Sequence, residues 1–354
     1  MRIAQLAPLY EAVPPPAYGG TERVIAGLCE GLARRGHDVT LFAAGSSRTS
    51  AELVEVVPSP LRVGMTRAEM TELAPHLHLR MLADVFDRAS DFDVIHSHVD
   101  IWTLPFAVTT DVPTILTMHG RLDLDHVRRT LALYPKVALV SISNHQRQLL
   151  DGIEVNWAGT VHNGLNLSSY QSARYDGGRH LAFVGRIAPE KGPTLAVEIS
   201  SRTNRPLRVA AKVDPLDLSY FETEVEPLFA AHDVEFLGEI DEARKPTFYA
   251  SAAATLFPSD WPEPFGLVMI ESMSAGTPVI ALRRGSVPEI IVDGVTGFVC
   301  DDVDGMVDAV GRLDEIDRDA CRRHATTFGV DAMCAGYERI YQRIMDERAL
   351  GIAV

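Results

Sequence analysis

Residues 259–276 read SDWPEPFGLVMIESMSAG, with Glu263 and Glu271 separated by seven residues. Pro262 and Pro264 flank the first glutamate, and proline fixes φ and cannot donate a helical hydrogen bond, so Glu263 falls in a loop. Glu271 falls in a helix expected to start near Phe265-Gly266, with Leu267, Ile270 and Met273 as its apolar stripe and Met269 in the core by spacing. The amides of Phe265, Gly266 and Leu267 are then the orphan donors of the helix N-terminus, which together with the helix dipole attract phosphate. Carboxylates accept from sugar hydroxyls and amides hold phosphate oxygens. The segment therefore suits a nucleotide-sugar. A surface helix with two solvated glutamates shows the same spacing, so the rest of the chain has to decide.

Outward from this stretch, strand and helix patterns alternate almost throughout, the signature of α/β domains with parallel sheets. A strand at 254–257 leads into the segment, and strands at 278–281 and 298–300 follow it. Upstream, 180–184 reads as a strand running into a Gly-bounded loop, Gly185 to Gly192, with Pro193 opening the next helix. Further strands are expected at 207–212 and 234–237, helices at 219–231 and from an Asp241 cap to Ser251, and a final helix at about 330–347. In the first half, strands are expected at 2–7, 38–43, 93–96, 113–118 and 136–142, with a helical pattern from 66 to 89. Thr21 reads as the cap of a helix carrying Val24, Ile25, Leu28 and Leu32, which Gly36 ends. The polar run 168–178 reads as a linker. Two domains result, 1–167 and 168–329, with the final helix packing back onto the first.

Bulk properties restrict the function. The chain has 354 residues, 46% hydrophobic and 23% charged, with a formal net charge of −15. Residues 1–165 hold 14 bases and 18 acids, and the remainder 19 and 30. Neither half offers the basic stripe of a nucleic-acid binder or the polybasic patch of a peripheral membrane protein. No apolar run approaches the ~18 residues of a membrane span, and the N-terminal run, interrupted by Pro8, is too short for a signal peptide. Cys29, Cys300, Cys321 and Cys334 are widely spaced, which predicts reduced, part-buried thiols in a cytoplasmic protein rather than a disulfide frame or zinc site.

Ligands of open α/β sheets bind beyond the carboxyl ends of the strands, where this chain places its polar loops. Gly19-Gly20 follow the first strand, in a GGTERV sequence that is not the dinucleotide fingerprint, and they could let backbone approach phosphate. His119 follows the strand at 113–118, and Arg186 and Lys191 follow the one at 180–184. Arg as a fork and Lys as a point charge would neutralise a diphosphate. His96 and His98 share a strand face, but no ligand motif joins them beyond Asp100, so a metal is not expected. Ser141 and Ser143 have no G-x-S-x-G around them, so no hydrolase triad is read.

Taken together, Gly19-Gly20, His119-Gly120, Gly185-Arg186-x3-Glu190-Lys191-Gly192, Pro258-Ser259-x3-Glu263-Pro264-Phe265-Gly266-x4-Glu271, Gly285-Ser286-Val287-Pro288-Glu289 and Asp293-Gly294-x2-Gly297 resemble the retaining glycosyltransferases of family 4. The resemblance implies the GT-B fold, two Rossmann-like domains facing a cleft, with a nucleotide-diphospho-sugar on the C-terminal one. It assigns Arg186 and Lys191 to the diphosphate, and Glu263 with the amides of Phe265 and Gly266 to the donor sugar. Glu271 goes to the ribose, the backbone around Gly238 and Ile240 to the base, and His119 to the sugar from the first domain. UDP is favoured over GDP as the carrier. No metal cofactor is implied, because Arg and Lys stabilise the leaving diphosphate. Asp123-Leu124-Asp125 has the spacing of a metal motif but is read as a helix cap. Gly285-Ser286 stands where many relatives have Gly-Gly, of little consequence unless φ is positive at the serine.

The competing readings are a nucleotide-sugar-binding protein without catalysis, which should lack a cleft residue, and a GT-B epimerase, which should convert donor without acceptor. A pyridoxal-dependent phosphorylase would need a longer chain and an absorbing cofactor. Acceptor identity and oligomeric state are not legible.

Overall fold

Among the described residues, 1–17 and 19–350, every strand pairing in this computed structural model is parallel. The chain forms two units, 1–165 with the described residues from Val330 onward, and 166–329. The first holds a sheet of β1 (Arg2–Leu6), β2 (Asp38–Ala44), β3 (Glu52–Val57), β4 (Val94–Ser97), β5 (Thr114–Thr117), β6 (Ala138–Ser141) and β7 (Asn156–Thr160), in the order β3-β2-β1-β4-β5-β6-β7. The second holds β8 (Leu181–Arg186), β9 (Leu207–Lys212), β10 (Val234–Phe236), β11 (Ala254–Phe257), β12 (Val279–Leu282) and β13 (Gly297–Cys300), in the order β10-β9-β8-β11-β12-β13. Each is an α/β doubly wound, Rossmann-like sheet. Strand order reverses between β1 and β4 in one and between β8 and β11 in the other, and such reversals open the crevices that hold ligands.

The strands form where the sequence runs apolar without alternation, because helices cover both faces of a parallel sheet. β4, β6, β11, β12 and β13 are buried end to end. β8 departs from this: its first half is buried, while Val184, Gly185 and Arg186 open to half-buried. The edge strand β10 is three residues long and largely exposed, a way to blunt an edge, and Glu235 on it pairs with Arg208 at 2.6 Å.

The final helix, Val330–Ala349, belongs to the first unit. It packs on the helix Gly20–Arg34 at two glycines one turn apart. A Cβ on Gly31 would stand 2.4 Å from Cys334 Sγ, and one on Gly27 3.0 Å from Val330. Arg35 forks onto Glu338 of that helix at 2.8 and 2.6 Å, and His37 adds a contact at 2.8 Å.

Several local expectations are corrected. Thr21 does not cap its helix, which begins at Gly20 with Gly19 at the cap and no side-chain bond. The Asp123-Leu124-Asp125 cap is absent too. Asp123 pairs with Arg121 (Nε–Oδ1 3.0 Å) and Asp125 with Arg129 at 2.8 Å, while Leu124 occupies the cap. The helix expected at 219–231 is interrupted by a π-turn, Phe221–Val225. Pro227, which has no N–H to give, lies just beyond it, a common cause of such widening. Asp241 accepts from the Arg244 amide at 2.9 Å, but the helix starts only at Lys245. Residues 168–171 of the expected linker form a helical turn that buries Tyr170 against Tyr249. The four cysteines are free and buried rather than part-buried. Burial raises their thiols, Cys300 to about 11 and both Cys321 and Cys334 to about 12.

Candidate functional site

In the second unit the loops after β8 and β11, on either side of the strand-order reversal, are tied together. Ser259 Oγ donates to the Glu190 carbonyl at 2.9 Å. Lys191, in a short 3-10 turn ahead of the helix Pro193–Thr203, reaches across to the Glu263 carboxylate. Their side chains are 20% and 16% exposed, so the pair is screened far less than one on the open surface. Trp261 Nε1 also donates to Glu263 at 2.8 Å, and its ring lies 5.2 Å from Lys191 Nζ. Sequence reasoning gave Trp261 no role, although its position two residues before Glu263 was the available signal. Both donors meet the same oxygen, Oε2, so Trp261 keeps Glu263 oriented when Lys191 turns to a ligand.

The helix Leu267–Ser274 begins at its Gly266 cap, where φ is 86°. It is buried all round from Met269 to Ser274, while Leu267 is half-buried, so the expected stripe is wider and displaced. The amides of Gly266 and Leu267 donate to no backbone acceptor among the described residues. Phe265 is 2% exposed, and its side chain faces Phe328 edge-on at 5.9 Å, so only its backbone is open to a ligand role. Gly285 braces this loop. Its φ is 56°, and a Cβ there would lie 2.4 Å from the Glu263 backbone. Ser286 has φ −77°, the sterically easy case for a serine, and its Oγ donates to the Phe265 carbonyl at 2.6 Å.

Arg186, at the carboxyl end of β8, is held at 2.5 Å by Glu190 and at 3.5 Å by Asp217. Asp217 lies on the loop after β9, too far in sequence for any spacing rule. Its Oδ2 is buried without a hydrogen bond, and burial raises its carboxyl against the opposing pull of Arg186. Glu271 is 1% exposed and accepts from Tyr249 OH at 2.7 Å, with Lys245 Nζ at 3.7 Å. Tyr249 and Lys245 thus fix the carboxylate of this helix from the neighbouring one. Gly238 adopts φ 65°, and Ile240 is buried against Ala182, Ala210 and Phe248.

In the first unit, the loop after β1 leads to Gly19-Gly20. A Cβ on Gly19 would stand 2.7 Å from Pro15, so its close approach is to protein. Glu22, in the first turn of the helix, is 6% exposed, and burial pushes its carboxyl up to about 7. His119 follows β5, half-buried, with Nε2 at 2.8 Å from His98 Nδ1, and burial lowers it to about 4. His96 and His98 are occupied by protein partners, and no group of three or more His, Cys, Asp or Glu among the described residues is placed to hold a metal. No helix among them is long and apolar enough to cross a membrane.

Residues 168–326 match the family described as Glycosyl transferases group 1, and residues 18–169 match Glycosyltransferase Family 4. The chain is 26% identical to the D-inositol 3-phosphate glycosyltransferase of Mycolicibacterium smegmatis, covering 87% of this chain and 83% of that protein. Among solved structures it is similar to sucrose-phosphate synthase from Thermosynechococcus elongatus (TM-score 0.80, 17% identity, 98% and 99% covered). It is also similar to Anabaena HepE in complex with UDP-glucose (TM-score 0.74, 17% identity, 98% and 100% covered).

Proposed function

Because the chain belongs to glycosyltransferase family 4 and has the GT-B fold, we propose that it moves a hexosyl or related sugar from a nucleotide-diphospho-sugar to a hydroxyl acceptor, with retention at the anomeric carbon and without a metal cofactor. The observation that carries this is the Lys191–Glu263 pair beside the open amides of Gly266 and Leu267, at the strand-order reversal of the second sheet. The preferred donor is a UDP-sugar, in line with the UDP-glucose held by a protein of the same fold.

A diphosphate arriving here would take Lys191 and Arg186 in exchange for their carboxylate partners and draw on the Gly266 and Leu267 amides. Trp261 keeps Glu263 oriented toward the sugar during that exchange. The acceptor oxygen forms its bond to the anomeric carbon on the face the diphosphate leaves, as the sugar–phosphate C–O bond breaks. A leaving phosphate oxygen takes the acceptor's proton, and Arg186 and Lys191 hold the released charge. His119 is the first unit's group for the donor sugar, a neutral imidazole. Glu271 accepts from the ribose hydroxyls while Tyr249 holds its carboxylate in place, and the backbone of Gly238 and Ile240 frames the base.

Slow donor hydrolysis tests the chemistry without a known acceptor. UDP-glucose incubated with the enzyme and followed by proton NMR should first release sugar of the donor's own anomeric configuration, at a rate unaffected by EDTA. First release of the opposite anomer would overturn retention, and loss of the reaction in EDTA would overturn metal independence.

A further inference from the structure

The first sheet's strand-order reversal is lined by a continuous chain of uncharged polar groups. Gln5 of β1 presents Oε1 to His98 Nε2 at 3.0 Å and Nε2 to Tyr341 OH at 3.1 Å. His98 Nδ1 meets His119 Nε2 at 2.8 Å. On the other branch, Tyr341 OH meets His96 Nδ1 at 2.7 Å, and His96 Nε2 meets Thr117 Oγ1 at 2.7 Å. Gln5 and His96 are 0% exposed and His98 4%. Strand spacing puts both rings of the H-x-H on one face, 4.1 Å apart, and every nitrogen of the two is committed within the protein.

Counting protons along this chain fixes the last ring. Burial holds His96 and His98 well below the usual histidine range and His119 at about 4, so each ring carries one proton near neutral pH. The Gln5 oxygen can only accept, so His98 carries its proton on Nε2 and its Nδ1 is bare. That bare nitrogen accepts from His119, whose single proton is therefore on Nε2. His119 Nδ1 is left bare and has no hydrogen-bond partner among the described residues. Turning the Gln5 amide over would reverse the whole chain and make His119 Nδ1 a donor, so one carboxamide rotation separates two chemically opposite sites.

We propose that Gln5 and His98 are positioning residues that set the tautomer of His119, so that it offers Nδ1 as an acceptor to a hydroxyl of the donor sugar. The ligand in this statement rests on the donor reading given above, while the tautomer does not. The H-x-H pair is thereby a proton-ordering device rather than a metal site. Tyr341, from the final helix, holds the Gln5 amide in register, which ties that helix to the site's chemistry.

The test is a long-range proton–nitrogen NMR correlation on the full chain with nitrogen-labelled histidine near neutral pH, the His119 signals being identified by their loss in His119→Gln. The expected result is a proton on Nε2 and a bare Nδ1 that moves when a UDP-sugar is added. A proton on Nδ1, or a mixture of tautomers, in the wild-type protein would overturn the proposal while leaving the donor reading standing. A bare Nδ1 that responds to no nucleotide-sugar would overturn the sugar contact while leaving the tautomer standing. Gln5→Met should convert His119 to a tautomer mixture and lower kcat for donor turnover about fivefold to tenfold, the loss of one hydrogen bond's worth of orientation. Gln5→Glu, which keeps an acceptor on His98, should restore the Nε2 proton. An unchanged His119 spectrum in Gln5→Met sinks the relay, and the wild-type spectrum decides the matter if neither variant folds.

Discussion

At the β8/β11 reversal the side chains are charged and partly open: Lys191 with Glu263, Arg186 with Glu190 and Asp217. At the β1/β4 reversal they are uncharged and closed: Gln5, His96, His98 and Tyr341. The sheets share one winding pattern, and the difference fits the proposal that one crevice takes a diphosphate and the other offers a group to a sugar hydroxyl. A diphosphate needs cations that can leave their carboxylates, and partial exposure keeps that exchange cheap. A sugar hydroxyl needs a fixed donor or acceptor, and burial secures that by forbidding charge and leaving only proton order to vary. Glu22 is the exception that sharpens the contrast, a carboxyl buried at the neutral end.

Breaking the charged end should have the largest effect. Lys191→Ala should lower donor turnover by about 10²–10³-fold, the scale for removing one preorganised group that stabilises developing charge, with the melting temperature nearly unchanged. A loss under threefold would place the diphosphate elsewhere. Next comes Glu22, whose folded carboxyl is raised to about 7 from an ordinary 4.5. The folded protein then binds the extra proton, so stability falls as pH rises from about 4.5 through 7. Glu22→Gln should leave stability unchanged at pH 4 and raise it above pH 7 by on the order of 3 kcal/mol. Denaturant unfolding at the two pH values checks this. At the closed end, Tyr341→Phe strips the hydroxyl that both Gln5 and His96 use, and should cost about 1–3 kcal/mol for the buried groups left unpaired. Thermal unfolding should show it as a drop of a few degrees. The smallest effect belongs to Ser286→Gly, which loses one bond to the Phe265 carbonyl and should cost about 1 kcal/mol or less with turnover nearly unchanged.

The fold was legible because parallel strands buried on both faces write themselves as apolar runs, as in Ala254–Phe257 and Val279–Leu282. The loops after them were legible because Gly and Pro punctuate them. Lys191 and Glu263 could be named from the sequence as one site's residues, although 72 positions separate them. What escaped has no local signature. Asp217 meets Arg186 only after a strand pairing, Tyr249 meets Glu271 between helices, and the Gln5–His98–His119 chain spans three strands and their loops. Gly27 and Gly31 carried a readable small-residue spacing, but only the arrival of the final helix gives it meaning. The cap expected at Thr21 failed because Gly20 already starts the helix, one position before a side chain could act.

The most direct test of the central claim, that the β8/β11 crevice holds a nucleoside diphosphate, is thermal melting of the full chain with UDP, GDP, ADP and their common sugar conjugates, with and without EDTA. A ligand at ~100 times its dissociation constant stabilises by about 2.7 kcal/mol. A shift with the UDP series, unchanged by EDTA and lost in Lys191→Ala, is the expected result. Absence of a shift with every diphosphate, or an equal shift in Lys191→Ala, would contradict it.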